Sequence, residues 1–312
     1  MIARIEELMQ HEVAGDPCTG LKWTRRTTQK IAGELRALGI DVKARTVARI
    51  LKKLRFSLRV NRKMIGRGSG PDRDEQFKYI ARVRERFTEQ NLPIVSIDSK
   101  KKEMVGNFKN GGTAWNRTPV LVNDHDFLSD AKGIALPNGL YDFRANRGTI
   151  SVGISHDTPD FAVDNLVRWW STEGQRRYPV AKELLVLADG GGSNGPRNRA
   201  FKYGLQTRLC NVHKVAVTLC HYPAGASKWN PIEHRLFSEI SKNWKGRPLD
   251  SYETILNYIR RTRTATGLRV RARLIRKRYP TGVRISSAQM KTLDLRPHQI
   301  QPQRNYTLYP TN

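Results

Sequence analysis

Acidic side chains are scarce in this sequence. Its 312 residues hold 28 Asp and Glu against 56 Lys and Arg, a formal charge of +28 at pH 7. A surplus of that size draws polyanions by counterion release and argues against basic partners. Cysteine is scarce too. Cys18, Cys210 and Cys220 form no CxxC pair and leave an odd count, which gives no support for a zinc ribbon or a disulfide framework and fits a reducing compartment. No apolar run reaches 18 residues, so no membrane span is expected. The start, MIARIEELMQ, lacks the apolar core of a signal peptide. There is no P-loop lysine and no HExxH, so P-loop nucleotide and zinc-protease chemistry lack their usual signatures. No internal repeat is visible.

What is present is a hydrophobic content of 38%, enough for a packed core. With that content the charge belongs to a folded protein and not to a basic tail, and nucleic acid is the expected partner. Length and well-patterned strands argue against a ribosomal protein.

The basic residues are not spread evenly. Residues 21–70 hold 15 Lys and Arg and 2 acids. Within them, 27–38 reads as a helix with Ile31, Leu35 and Leu38 at helical spacing, and Gly39-Ile40-Asp41-Val42 breaks it. A second helix over 45–54 turns Val47, Ile50, Leu51 and Leu54 to one side and Arg45, Arg49, Lys52 and Lys53 to the other. Helix, glycine turn and basic helix is the pattern of a helix-turn-helix, whose second helix can enter the major groove. The plainer reading is a helical hairpin with a solvated charged face. Residues 63–72 read as a linker, and 73–90 as a helix with an apolar stripe. The expected domains are therefore 1–62, a helix-turn-helix region; 63–72, a linker; 73–250, an α/β core; and 251–312, a basic C-terminal extension. Within that extension, 254–280 holds nine Lys and Arg and no acid, and 268–272 is strand-like.

In the α/β part, one apolar strand ends at Asp98 and another at Asp189. Residues 104–108 and 148–154 read as further strands and 109–138 as irregular. Asp157-Thr158-Pro159 starts a helix, since Thr or Asp caps it and Pro suits the first turn. Another helix is expected over 197–205, and 215–219 as the last strand of this core. Glu233 lies one turn into a helix after a Pro/Gly loop. Alternating strands and helices imply a sheet covered on both faces, and ligands of such sheets gather outside the carboxyl ends of the strands. Asp98, Asp189 and Glu233 gathered there would make a hard-oxygen site for Mg²⁺ or Mn²⁺. Two ions roughly 3.5–4 Å apart would serve both the attacking and the leaving oxygen of a phosphodiester. Any one of these acids alone is more often a cap or an ion-pair partner. Asp142 is a weaker fourth candidate, equally suited to a structural role.

The glycines after Asp189 let backbone and substrate approach closely. His221 and His234 lack zinc spacing and read as structural or DNA-contacting. Asn230 reads as a helix cap and Trp229 as core. Lys100 and Lys101, just after Asp98, and Lys228, just before the Glu233 helix, read as phosphate contacts.

Four segments carry a resemblance: VSIDSKKKEMVGNFKNGG (95–112), SVGISHDTPDFAVDNLVRWW (151–170), LADGGGSNGPRNRAFK (187–202) and CHYPAGASKWNPIEHRLFSEISKNWKGRPL (220–249). They resemble the bacterial insertion-sequence transposases with a Rhodopirellula-type DDE domain. The Asn-Pro-Ile-Glu-His piece is shared with mariner-like transposases. The likeness covers essentially the whole chain, including RNYTLYP at 304–310.

The resemblance implies a ribonuclease H-like catalytic core, a mixed sheet with helices on both faces, behind a small all-α helix-turn-helix domain. It also implies Asp98, Asp189 and Glu233 as the three catalytic carboxylates, two Mg²⁺ or Mn²⁺ ions per site, and metal-dependent cleavage and joining of DNA strands. Asp98 would bridge both ions, with Asp189 and Glu233 holding one each. The implied partners are the transposon terminal repeats and target DNA, both double-stranded. A homo-oligomer in the synaptic complex is expected, since two ends must be held together. The implied location is the bacterial cytoplasm, at the nucleoid. Members of the family carry a DNA-binding segment ahead of the part resembling residues 15–62, so a shortened N-terminus is expected here. The alternatives are a catalytically silent, DNA-binding remnant acting as a repressor, which that shortening favours, and a stand-alone nuclease, which the basic helices disfavour.

Overall fold

The computed structural model describes residues 27–54, 71–113, 116–226 and 229–311, together with seven isolated positions before residue 27. Two compact units divide the chain between Met64 and Ile65.

In the first unit, helix α1 (Thr28–Ala37) starts where the Thr27 hydroxyl accepts from Lys30 N. It stops at Gly39, whose φ of 79° is one a side chain would resist. Helix α2 is Ala44–Lys53. Ile31, Ala32 and Leu35 of α1 bury against Val47 and Ile50 of α2, with Ile5 completing the cluster. Of the expected stripes, Ile31 and Leu35 meet Val47 and Ile50, with Leu51 and Leu54 packed against them, while Leu38 is exposed. Arg45, Arg49, Lys52 and Lys53 remain exposed on α2.

In the second unit, helix α3 (Pro71–Glu89) begins inside the stretch read as linker, and the rest of that linker, 63–70, lies outside the described residues. The sheet is built from β1 (Ile94–Ser99), β2 (Glu103–Val105), β3 (Gly133–Asp142), β4 (Arg147–Gly153), β5 (Glu183–Ala188), β6 (Ala216–His221), β7 (Arg269–Ile275), β8 (Leu295–Pro297) and β9 (Asn305–Leu308). Their order across the sheet is β8-β9-β6-β5-β1-β3-β4-β7, with β2 beside β3. Strands β1, β5 and β6 run parallel, and β3 and β4 continue antiparallel from β1. This is a mixed α/β sheet of the ribonuclease H-like kind.

Side-chain alternation sends Val95, Ile97, Val186 and Val217 to one face and Ile94, Leu185, Leu187 and Cys220 to the other. The first face is covered by α4 (Pro159–Trp169) and α5 (Arg199–Leu205), through Phe161, Leu166, Trp169, Phe201 and Leu205. The second is covered by α3, through Ile80, Val83 and Phe87. Over β3 and β4 that role passes to the Glu233 helix and to α7 (Tyr252–Arg260).

Two sequence expectations change here. Residues 133–138 lie in the stretch read as irregular, yet they open the longest strand of the sheet, Gly133–Asp142. Pro137, Asn138 and Gly139 look like a turn, but they lie where β3 changes neighbours: β1 ends at Ser99, opposite Asn138, and β2 pairs through Glu103 with Ala135. The Pro137 carbonyl accepts from Lys100 N at 2.9 Å. In an extended strand N–H and C=O of one residue point the same way, so the missing donor faces that gap. Second, 251–312 is no appendage. It supplies β7 at one edge and β8 and β9 at the other.

Candidate active site

Strands β1 and β5 are adjacent and parallel, with Ile97 opposite Ala188. Asp98 and Asp189 each follow that pair by one residue, so their backbones emerge side by side, about 5 Å apart by strand spacing. Glu233 arrives over the sheet face that Asp98 shares with Ile94 and Ser96, through a missing side chain. Gly139 lies opposite Asp98 on β3. A Cβ there would come within 2.5 Å of Phe237 and 3.0 Å of Ile232. The bare glycine is thus the seat of the helical segment that starts at Pro231, and Glu233 opens a π turn, Glu233–Phe237, which leads into α6 (Ser238–Trp244). Such turns recur at functional sites because they re-aim one side chain within a helix.

Asn230 binds these parts together. Fully buried, its Oδ1 accepts from the Ser96 hydroxyl, and its Nδ2 donates to Asp189 Oδ1 at 3.2 Å and to the Ile97 carbonyl at 3.4 Å. Its own carbonyl accepts from Glu233 N at 3.0 Å. One amide therefore joins β1, the second carboxylate and the third. Read from sequence as a cap, it is the pin of the site.

The electrostatics follow from this crowding. Burial, then the neighbouring Asp189, and further Glu233 and Asp157, push the Asp98 carboxyl up to about 8, against a hydrogen bond from Ser99 N that lowers it. Burial raises Asp189, opposed by the Asn230 bond. Burial and Asp189 raise Glu233, while Lys100 and His234 lower it. Among the described residues no three acids, histidines or cysteines form a closed metal cage. The three carboxylates sense one another without converging on one point. Closing that gap costs repulsion, which a divalent cation would offset. A donor set of carboxylate oxygens fits Mg²⁺ or Mn²⁺.

A fourth carboxylate went unread in the sequence. Thr158, not Asp157, caps α4, its hydroxyl accepting from Phe161 N at 3.2 Å. Asp157 instead accepts from the Ser99 hydroxyl at 3.1 Å and from the Ser193 hydroxyl at 2.9 Å. It clasps the residue after Asp98 to the glycine loop after Asp189. Asn138 Nδ2 donates to Ser99 Oγ at 3.1 Å and Asn165 Nδ2 to Asn138 Oδ1 at 2.9 Å, extending the chain into α4. The sequence signal was two acids, Asp157 and Asp160, at one helix start that needs a single cap.

Other candidates are placed differently. Asp142 sits at the far end of the β1–β3 ladder, fully buried, accepting from Arg177 Nη1 at 2.6 Å and the Tyr178 hydroxyl at 2.8 Å. It is structural. Lys100 is no outward phosphate contact: its Nζ lies 2.8 Å from Glu103 Oε1 and 4.7 Å over the Trp244 ring, and it faces Glu233. Lys101 is exposed, and Lys228 lies outside the described residues. Trp229, expected in the core, is 56% exposed. His221 is buried and held by the Arg304 and Asn194 carbonyls.

The model of the Rhodopirellula transposase DDE domain matches residues 4–310. The chain belongs to this family. Among solved structures this transposase is similar to three of Mos1. A paired-end complex with Mn has 14% identity and a TM-score of 0.46, covering 83% of this chain and 70% of that one. The paired-end complex with the left transposon end has 14% identity and a TM-score of 0.43, covering 83% and 69%. The catalytic domain of the mariner transposase has 11% identity and a TM-score of 0.40, covering 63% and 83%. Likeness this low transfers no residue role. No curated protein matches the chain.

Proposed function

We propose that this transposase cleaves and joins DNA strands at the ends of a bacterial insertion sequence, with Asp98, Asp189 and Glu233 as its catalytic carboxylates. The observation that carries this reading is the coupling of three acids at one sheet edge, each raised by burial and two of them by a neighbouring acid, in a chain of charge +28. Two Mg²⁺ or Mn²⁺ ions held there would supply the Lewis acidity that activates the attacking oxygen and stabilises the leaving one. The chain supplies the rest. Asn230 orients Asp189 and fixes where Glu233 enters. Asp157 holds the loops after Asp98 and Asp189 at one spacing. Lys100 tempers the negative charge beside Glu233. Outside the catalytic unit, Arg45, Arg49, Lys52 and Lys53 on α2, read as the second helix of a helix-turn-helix, bind transposon-end DNA. Lys101 adds a phosphate contact. A homo-oligomer acting in the bacterial cytoplasm completes the reading, because two ends must be held together. Among the described residues no helix is long and apolar enough to cross a membrane.

The test is nicking of duplex DNA carrying the element's terminal repeats. Wild type should nick in Mg²⁺ or Mn²⁺ and not in chelator. Asp98→Asn, Asp189→Asn and Glu233→Gln should each fall to background while still binding the duplex. Wild-type nicking by any of the three ends the assignment of that residue.

A further inference from the structure

A cavity of about 560 Å³ opens beside the catalytic edge. One wall is the glycine loop after β5, through Gly190, Gly191, Gly192 and Gly195, followed by Arg197. The other is Gln303 and Arg304, from the turn ahead of β9. Strand order fixes its place: the walls come from β5 and β9, so the cavity lies on the side of Asp189 away from Asp98. Among the described residues no acid lines it.

The two walls are built as one unit. The His221 ring stands beneath both, with Nδ1 2.8 Å from the Arg304 carbonyl and Nε2 3.0 Å from the Asn194 carbonyl. The Arg304 backbone is fixed by Arg304 N donating to Gln301 O at 2.7 Å, in a turn where Gln301 has φ 49°. Its Nη1 donates to the Tyr222 carbonyl at 3.2 Å. The walls approach closely at Gly190, where a Cβ would lie 3.0 Å from that carbonyl and 3.3 Å from Arg304 Nη1. On the loop, Asn194 is 3% exposed and its Nδ2 has no hydrogen-bond partner.

We propose that this cavity is a phosphodiester subsite, holding a backbone phosphate of the DNA strand next to the one being cut. Two guanidinium groups, glycine backbone without side-chain cover and no acid suit a phosphate oxygen. The cavity follows directly on Asp189, so a strand lying along the sheet edge meets the carboxylates and the pocket in succession. The C-terminal hairpin thereby becomes part of the DNA-holding surface. This inference rests on the DNA-processing reading above.

The experiment compares full-length wild type with Arg197→Gln, Arg304→Gln and the double variant. Binding to a fluorescein-labelled DNA duplex is measured in chelator by anisotropy across a range of salt. Each arginine should reduce the slope of log K against log salt by about 1, and the double variant by about 2. Arg304→Lys should keep most of the slope. Circular dichroism melting should leave Arg197→Gln unchanged, since that side chain is exposed. Unchanged slopes in all Gln variants overturn the subsite. The two readings separate cleanly. Asp98-dependent nicking with unchanged slopes sinks the pocket alone. Reduced slopes without wild-type nicking sink the enzyme reading and leave a phosphate-binding pocket.

Discussion

The β1–β3 ladder carries a buried acid toward one end and a half-buried acid toward the other, and the two are treated in opposite ways. At one end Asp142 meets Arg177 at 2.6 Å, the Tyr178 hydroxyl at 2.8 Å and Ala145 N at 3.2 Å. Glu173 adds a second acid on the same arginine at 3.4 Å. At the other end Asp98 has one backbone donor, from Ser99, and faces Asp189, Glu233 and Asp157. An acid whose cation comes from the chain itself closes a fold. Acids that face other acids repel, and a proton or a metal cation from outside relieves the repulsion. Scarcity sharpens the contrast: with 56 basic residues available, the chain neutralises Asp142 and leaves the Asp98 group in excess.

The largest expected effect sets the two ends against each other. Asp142→Asn should cost roughly 3–5 kcal/mol in denaturant unfolding, because it strips a buried pair of one partner. Asp98→Asn, measured in chelator, should cost nothing or stabilise. Equal losses would break the comparison.

His221 tests a buried group whose partners are all internal. Burial lowers its pKa to about 4, against the bonds to Arg304 and Asn194 that raise it. The unfolded chain, near 6.5, then binds the proton more readily than the folded one. Stability should therefore be full above pH 6.5 and fall toward pH 4 by roughly 3 kcal/mol. His221→Gln should flatten that part of the profile. An acid limb that survives the substitution belongs to other groups.

Asn230→Ala should lower nicking by about 10–100-fold, as loss of a group orienting a ligand does, and raise the metal concentration needed for half-maximal rate. A pure loss of stability with unchanged metal dependence would make Asn230 structural only. The smallest effect belongs to Gly139→Ala. Its Cβ would press on Phe237 and Ile232, at a cost of about 1–3 kcal/mol. It should also displace Glu233, seen as weaker metal dependence, with Asp142 and its partners untouched.

Much of this was legible beforehand. Strands ending in Asp98 and Asp189 announced themselves as apolar runs broken by an acid, and α1 and α2 through helical spacing. Strand β3 was hidden because its Pro-Asn-Gly sequence obeys turn chemistry locally, and only the gap between β1 and β2 makes the proline harmless. The roles of the edge strands β7 and β8 were hidden because sheet edges carry polar and basic residues, which local pattern cannot tell from an extension. Asn230 and Asp157 were read as caps, since a capping residue and a long-range pin look alike until their partners, 134 residues away for Ser96 and 36 for Ser193, are brought near.

By itself the sequence determined the charge imbalance, the apolar periodicities and the family, because these depend on residue type and order alone. Tertiary structure decided which acids become a site. Whether a carboxylate meets an arginine or another carboxylate depends on which strands pair and which glycine leaves room for a helix, and those are contacts between residues far apart in the chain.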